Sequence, residues 1–169
     1  QTFGKVIKMS PPYRTELNAR IKQTEVFPGG DIEKIVKTLN KMAKSPKNKD
    51  YLDQIYYDLG NLYLSRQDTT NAIKNYILAA QKSTREGIEK AISQLTLGNI
   101  YFNQRKYTKA QPCYAEAIPL IDETYPDYAQ LVKRSEVLDE LAIHAQNVEL
   151  QDSLQQLAAL PEPERTKII

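Results

Sequence analysis

The passage LGNLYLSRQDTTNAIKNYILA, residues 59–79, returns 38 residues later as LGNIYFNQRKYTKAQPCYAEA, residues 97–117. L-G-N-x-Y recurs, and Ala72, Tyr76 and Ala79 are matched in step by Ala110, Tyr114 and Ala117. Such a unit is too short to bury an apolar face alone, so copies must stack to build a shared core. The repeat therefore excludes most single-core folds and predicts an array.

The period of the apolar residues sets the type of unit. Leu52, Ile55, Tyr56, Leu59, Leu62 and Tyr63 follow the i, i+3, i+4, i+7 spacing of an amphipathic helix. DTT interrupts it, and Ala72, Ile73, Tyr76, Ala79 and Ala80 resume the pattern. The later copy has Ile88, Ala91, Ile92, Leu95 and Ile100, a break at RKYT, and a further helix. ETYPDY separates AQLVKRSEVLDELAIHA, and DSLQQLAAL is stopped by Pro161 and Pro163. Upstream, FPGGD reads as a turn and Asp31 as the N-cap of IEKIVKTLNKMAK, ended by Ser45 and Pro46. No strand pattern competes, and scarce glycine with abundant Leu, Ala, Lys, Gln and Glu agrees with helix.

Gly60 and Gly98 fall inside helices, where glycine costs roughly 1 kcal/mol relative to alanine. Close crossing of another helix offsets that cost. Ala72 and Ala79 are expected to supply the facing small surface, with Leu59, Tyr63 and Tyr76 packed around it. Thr108 is expected to cap the last helix of the second copy, with Gln111 reaching back. Pro112 then sits in the first turn, where its missing N–H costs little. Pro119 bends or shortens the same helix.

These residues resemble the tetratricopeptide repeat, W-x2-L-G-x2-Y followed by A-x3-F-x2-A and a late Pro. Tyr56 takes the place of the first Trp and Gln94 does not; Tyr76 and Tyr114 replace Phe; Thr84 and Asp122 stand at the late proline. A-x-P-x-Y also resembles kinesin-light-chain-type repeats. The resemblance implies an all-α chain, a right-handed superhelix of stacked antiparallel hairpins. Residues 51–84 and 88–122 are the good repeats; residues 10–46 and 127–161 are degenerate ones. The absent initiator Met and the stop at KII read as a processed protein or an excised fragment, with both true ends missing.

Catalytic chemistry finds little support. His144 has no metal-ligand neighbours in sequence, and Cys113 reads as a packed small residue. H-E-x-x-H, C-x-x-C, G-x-S-x-G, phosphate-loop and dinucleotide motifs are absent. No catalytic, cofactor or metal residue is assigned, and the chain reads as a non-enzyme. Residues 1–50 carry eleven Lys or Arg against five Asp or Glu. Lys34, Lys37, Lys41 and Lys44 follow helical spacing and read as a solvated face, so specific nucleic-acid binding is not expected.

Binding of protein partners remains. The first helices of stacked hairpins line a concave face, which places Tyr57, Asn61 and Leu64, and Leu95, Asn99 and Phe102, as candidate peptide contacts. The asparagines are expected to keep free amides for a peptide backbone. Packing against neighbouring helices is the competing reading of all six. A carboxylate-clamp lysine would precede each asparagine by four residues; Tyr57 and Leu95 stand there instead, which argues against a C-terminal carboxylate ligand.

A narrower resemblance covers most of the chain. KNKDYLDQIYYDLGN, LTLGNIYFNQRKYTKAQPCY, KRSEVLDEL and LQDSLQQLA are similar to the SprE/PorW type of tetratricopeptide lipoproteins of Bacteroidetes, and ELNARIKQTEVFPGG is compatible. It implies an outer-membrane-anchored periplasmic scaffold of the type IX secretion and gliding machinery. It also implies envelope protein partners and a lipid anchor outside these residues. The alternatives are a sensing module of a transcriptional or signalling regulator, or an enzyme with an unrecognised site.

Overall fold

The computed structural model describes residues 32–84 and 87–165, with Thr15 and Ala19 upstream of them. The FPGGD turn, the Asp31 cap and most of residues 10–31 lie outside the described residues. Every regular element among the described residues is helical, so the all-α expectation holds. The chain forms two compact units, Gln1–Thr84 and Arg85–Ile169.

In the first unit, α1 spans Ile32–Ala43 and a 3-10 turn, Pro46–Tyr51, leads into α2, Leu52–Ser65. Pro46 opens that turn because its missing N–H falls where no helical partner exists. The buried Asn48 donates from Nδ2 to the Met42 carbonyl at 2.7 Å, satisfying the end of α1. α1 meets α2 through Leu39, Ile55 and Leu59, all essentially inaccessible, with Ile35, Val36, Met42 and Tyr56 around them. The helix α3, Thr69–Lys82, folds back on α2.

The reversal between α2 and α3 is closed by the backbone. Gln67 N–H donates to Leu64 O at 2.9 Å and Asp68 N–H to Tyr63 O at 3.0 Å. That is a Schellman closure, with Gln67 left-handed at φ 62°. The Asp68 carboxylate then accepts the Asn71 N–H at 3.0 Å and caps α3.

The second unit repeats this 38 residues on. α4, Ile88–Asn103, and α5, Tyr107–Ala117, are joined by Arg105 at φ 58°, with Lys106 N–H on Tyr101 O at 2.9 Å. The cap differs: Lys106 replaces Asp68 and provides no side-chain acceptor. Thr108 is therefore not the cap. The Schellman closure starts the helix at Tyr107, and Thr108 and Gln111 reach carboxylates of the next helix instead, Glu149 at 3.1 Å and Asp139 at 2.7 Å. Pro112 lies deeper in α5 than the sequence suggested, where the missing N–H would have met the Thr108 carbonyl. Pro119 shortens the helix: α5 ends at Ala117 and tightens into a 3-10 turn, Ile118–Leu120.

The largest departure is α6, Tyr128–Ala159, one unbroken helix of 32 residues. Two helices were expected within residues 127–161. Nothing divides them, because no glycine or proline stands between Pro126 and Pro161. The early part of α6 carries the apolar packing, with Leu138 fully buried and Leu131 and Tyr128 beside it, against Ala110, Tyr114 and Ala117 of α5, and further on Glu149 accepts from Thr108. A short turn, Glu162–Arg165, forms α7.

Candidate functional site

Each hairpin is built round one tyrosine. A Cβ placed on Gly60 would lie 2.6–2.9 Å from three carbons of the Tyr76 ring, and one on Gly98 would lie 2.8 Å and 2.9 Å from two ring carbons of Tyr114. The glycines thus make room for an aromatic face, not for the alanines that the sequence reading set opposite them. Both tyrosines are 0% exposed. A buried phenol needs a partner, and the residue after each glycine supplies it. Tyr76 Oη donates to Asn61 Oδ1 at 2.7 Å, and Tyr114 Oη to Asn99 Oδ1 at 2.5 Å. Burial foremost, then the charges of Tyr57 and Asp58, raises the Tyr76 pKa, so the phenol keeps the proton it donates.

The six candidate peptide contacts fall into different environments. In the first unit, Asn61 is exposed, Leu64 is 37% exposed, and Tyr57 lies half-buried with its ring 5.5 Å from that of Tyr76. In the second, Leu95 is 5% exposed and belongs to the core beside Ala91 and Tyr114. Its register is that of Tyr57, but its shorter side chain is sunk within the hairpin. Phe102 is half-buried, 5.8 Å from Tyr107 in an edge-on pair. The carbonyl end of each asparagine, expected to be free, is held by a tyrosine hydroxyl.

Sequence reasoning missed Arg134. From α6, its Nη1 donates to Asn99 Oδ1 at 2.9 Å and to Tyr114 Oη at 3.1 Å, closing a triangle. Its guanidinium carbon lies 5.1 Å from the centre of the Phe102 ring, a cation–π contact that fixes the planar head. Guanidinium carries five donors; among the described residues Nε and Nη2 meet no acceptor and no carboxylate pairs with Arg134. The arrangement is a held cationic fork flanked by an aromatic ring and an asparagine. Period alone could not find it: a 38-residue step from Asn99 lands on Val137, one helical turn further on.

Cys113 is buried, and its Sγ donates to the Lys109 carbonyl at 3.3 Å. Burial, with Glu116 adding to it, pushes the thiol up to about 12, so it is neutral and poorly nucleophilic at neutral pH. Gln94, at the usual Trp position, is buried; its Nε2 donates to Glu116 at 2.7 Å while Oε1 has no partner. No group of three metal-ligating side chains occurs among the described residues. No helix among them is long and apolar enough to cross a membrane.

The family model for the tetratricopeptide repeat matches residues 53–81 and 91–121. Both hairpins match the tetratricopeptide repeat. The matched stretches are α2 with α3 and α4 with α5, so the Gly–Tyr–Asn arrangement lies inside the repeat unit itself. Tetratricopeptide and related repeats recognise other proteins on extended concave surfaces, which suggests protein–protein interaction. No curated protein matches the chain.

Proposed function

We propose that this chain is a protein-interaction scaffold whose second repeat, together with α6, receives an extended peptide carrying an acidic group. The carrying observation is Arg134, held over Phe102 and by Asn99 and Tyr114, with two donor atoms that meet no acceptor among the described residues. A guanidinium fixed in this way loses little freedom on meeting a carboxylate and pairs with it in two parallel bonds. Phe102 and Tyr107 give the adjoining peptide side chain an apolar floor. Binding of the 169-residue protein to an array of extended peptides, graded in carboxylate content, tests the reading. Acidic peptides are expected to dominate, and Arg134→Lys to weaken them about tenfold, because an ammonium cannot make the forked pair. Equal binding of neutral and acidic peptides, or no effect of Arg134→Lys, overturns it.

The passages quoted above support placing this scaffold in the SprE/PorW type. We propose that it serves type IX secretion and gliding from the periplasmic side of the outer membrane, bound to envelope proteins and held by a lipid anchor of the parent protein. Fractionation of the native full-length protein is the test. Outer-membrane recovery with a lipidated N-terminus is expected; recovery in the cytosol alone removes the assignment.

A further inference from the structure

The helix α6 is about 48 Å long, far longer than α5, against which it packs. From residue 146 to residue 159 every side chain except Leu157 is exposed. A helical arm of this length, uncovered, is marginal in water. Apart from Val148, 56% exposed on another side of the helix, its large apolar residues are ordered. Glu136, Glu140, Ile143, Asn147, Leu150, Leu154 and Leu157 follow alternating steps of four and three. This is heptad spacing, apolar at four of its seven places, with Glu140, Asn147 and Leu154 at a and Glu136, Ile143, Leu150 and Leu157 at d. Ile143, Leu150 and Leu154 are 60%, 57% and 55% exposed. The seam lies on the side of α6 opposite Leu131, Arg134 and Leu138, so it is independent of the Arg134 site.

Charge identifies the occupant. Seven acidic and no basic residues stand between Arg134 and Arg165. A second copy paired in parallel would set Glu136 and Glu140 against themselves. Paired antiparallel so that all the apolar seam residues are used, it would press Glu140 on Leu157, an uncompensated carboxylate in an apolar layer. We infer that the α6 seam docks an amphipathic helix of another protein in parallel. That helix carries Lys or Arg opposite Glu136 and Glu140, aliphatic residues opposite Ile143, Leu150, Leu154 and Leu157, and an amide opposite Asn147. An asparagine at a single a position sets register and favours two strands, and the two glutamates select the basic partner.

The test uses the 169-residue chain and a synthetic helix of about three heptads. The probe has Leu in the seam, Asn facing Asn147, and Lys facing Glu136 and Glu140; the control has Glu at those two places. Calorimetry is expected to show the Lys probe binding at least about tenfold more tightly than the Glu probe. Glu136→Lys with Glu140→Lys should invert that preference, and Leu150→Asp with Leu154→Asp should abolish binding of both at unchanged helicity. Equal binding of the two probes, or binding of neither, overturns the inference. So does sedimentation of the chain alone as a dimer that Leu150→Asp dissociates.

Discussion

At the scale of residues, each hairpin rests on a coupling of three positions: a glycine to admit a ring, the ring itself, and an asparagine to accept its hydroxyl. The usual advantage of alanine over glycine in a helix, roughly 1 kcal/mol, is outweighed at Gly98, because the added methyl would stand 2.8 Å from the Tyr114 ring and 3.1 Å from Cys113 Cβ. Gly98→Ala is expected to destabilise by about 1–3 kcal/mol in urea unfolding, and Tyr114→Leu in the same chain to recover part of the loss. Asn61→Ala should lower stability by about 1 kcal/mol, because the buried Tyr76 hydroxyl loses its acceptor; an unchanged melting temperature would mean that water replaces the amide. Cys113 adds a pH dependence. Its folded pKa is raised to about 12, so the neutral thiol's contribution is complete below the ordinary thiol value and lost as pH rises through 12. Cys113→Ala should therefore flatten stability between pH 9 and 12, read from urea midpoints across that range.

At the scale of elements, the two repeats share a turn and differ in how the next helix starts. Both reversals place a non-glycine residue in the left-handed region, Gln67 and Arg105. Only the first has a side-chain cap, and there the Asn71 amide and backbone hold the Asp68 carboxyl below its ordinary value. The support from Asp68 is thus present at neutral pH and lost as pH falls through that lowered value. α5 lacks such a cap and also carries Pro112 within it. Lys106→Asp, which restores the residue of the first repeat, is expected to stabilise the chain by about 1 kcal/mol, measured as a raised urea midpoint. No change would show that the Lys106 backbone alone already satisfies the start of the helix.

At the scale of the whole molecule, charge divides with the units. Residues 1–84 carry 14 basic and 8 acidic side chains, and residues 85–169 carry 9 and 13. Lys34, Lys37 and Lys41 lie exposed on α1 without interleaved aromatics. Duplex DNA is therefore expected to bind weakly at low salt and to be released as salt rises from 50 to 200 mM; nanomolar binding that survives that rise would show a specific site. The repeat period, the helices and the places of Gly60, Gly98, Tyr76 and Tyr114 were legible in the sequence, because apolar spacing and small residues record helix faces locally. The reach of α6 was legible too, in its lack of glycine and proline, but weak repeat matches hid it. The pairing of the chain's residues was not legible. Thr108 could satisfy its own helix or Glu149, Asn99 could meet a peptide or Tyr114, and Leu95 could line a groove or a core. Arg134 reaches Asn99 across 35 residues at no repeat interval. Local spacing determines which face a side chain is on; which partner it finds there depends on the helix that packs against that face, and only the tertiary structure decided that.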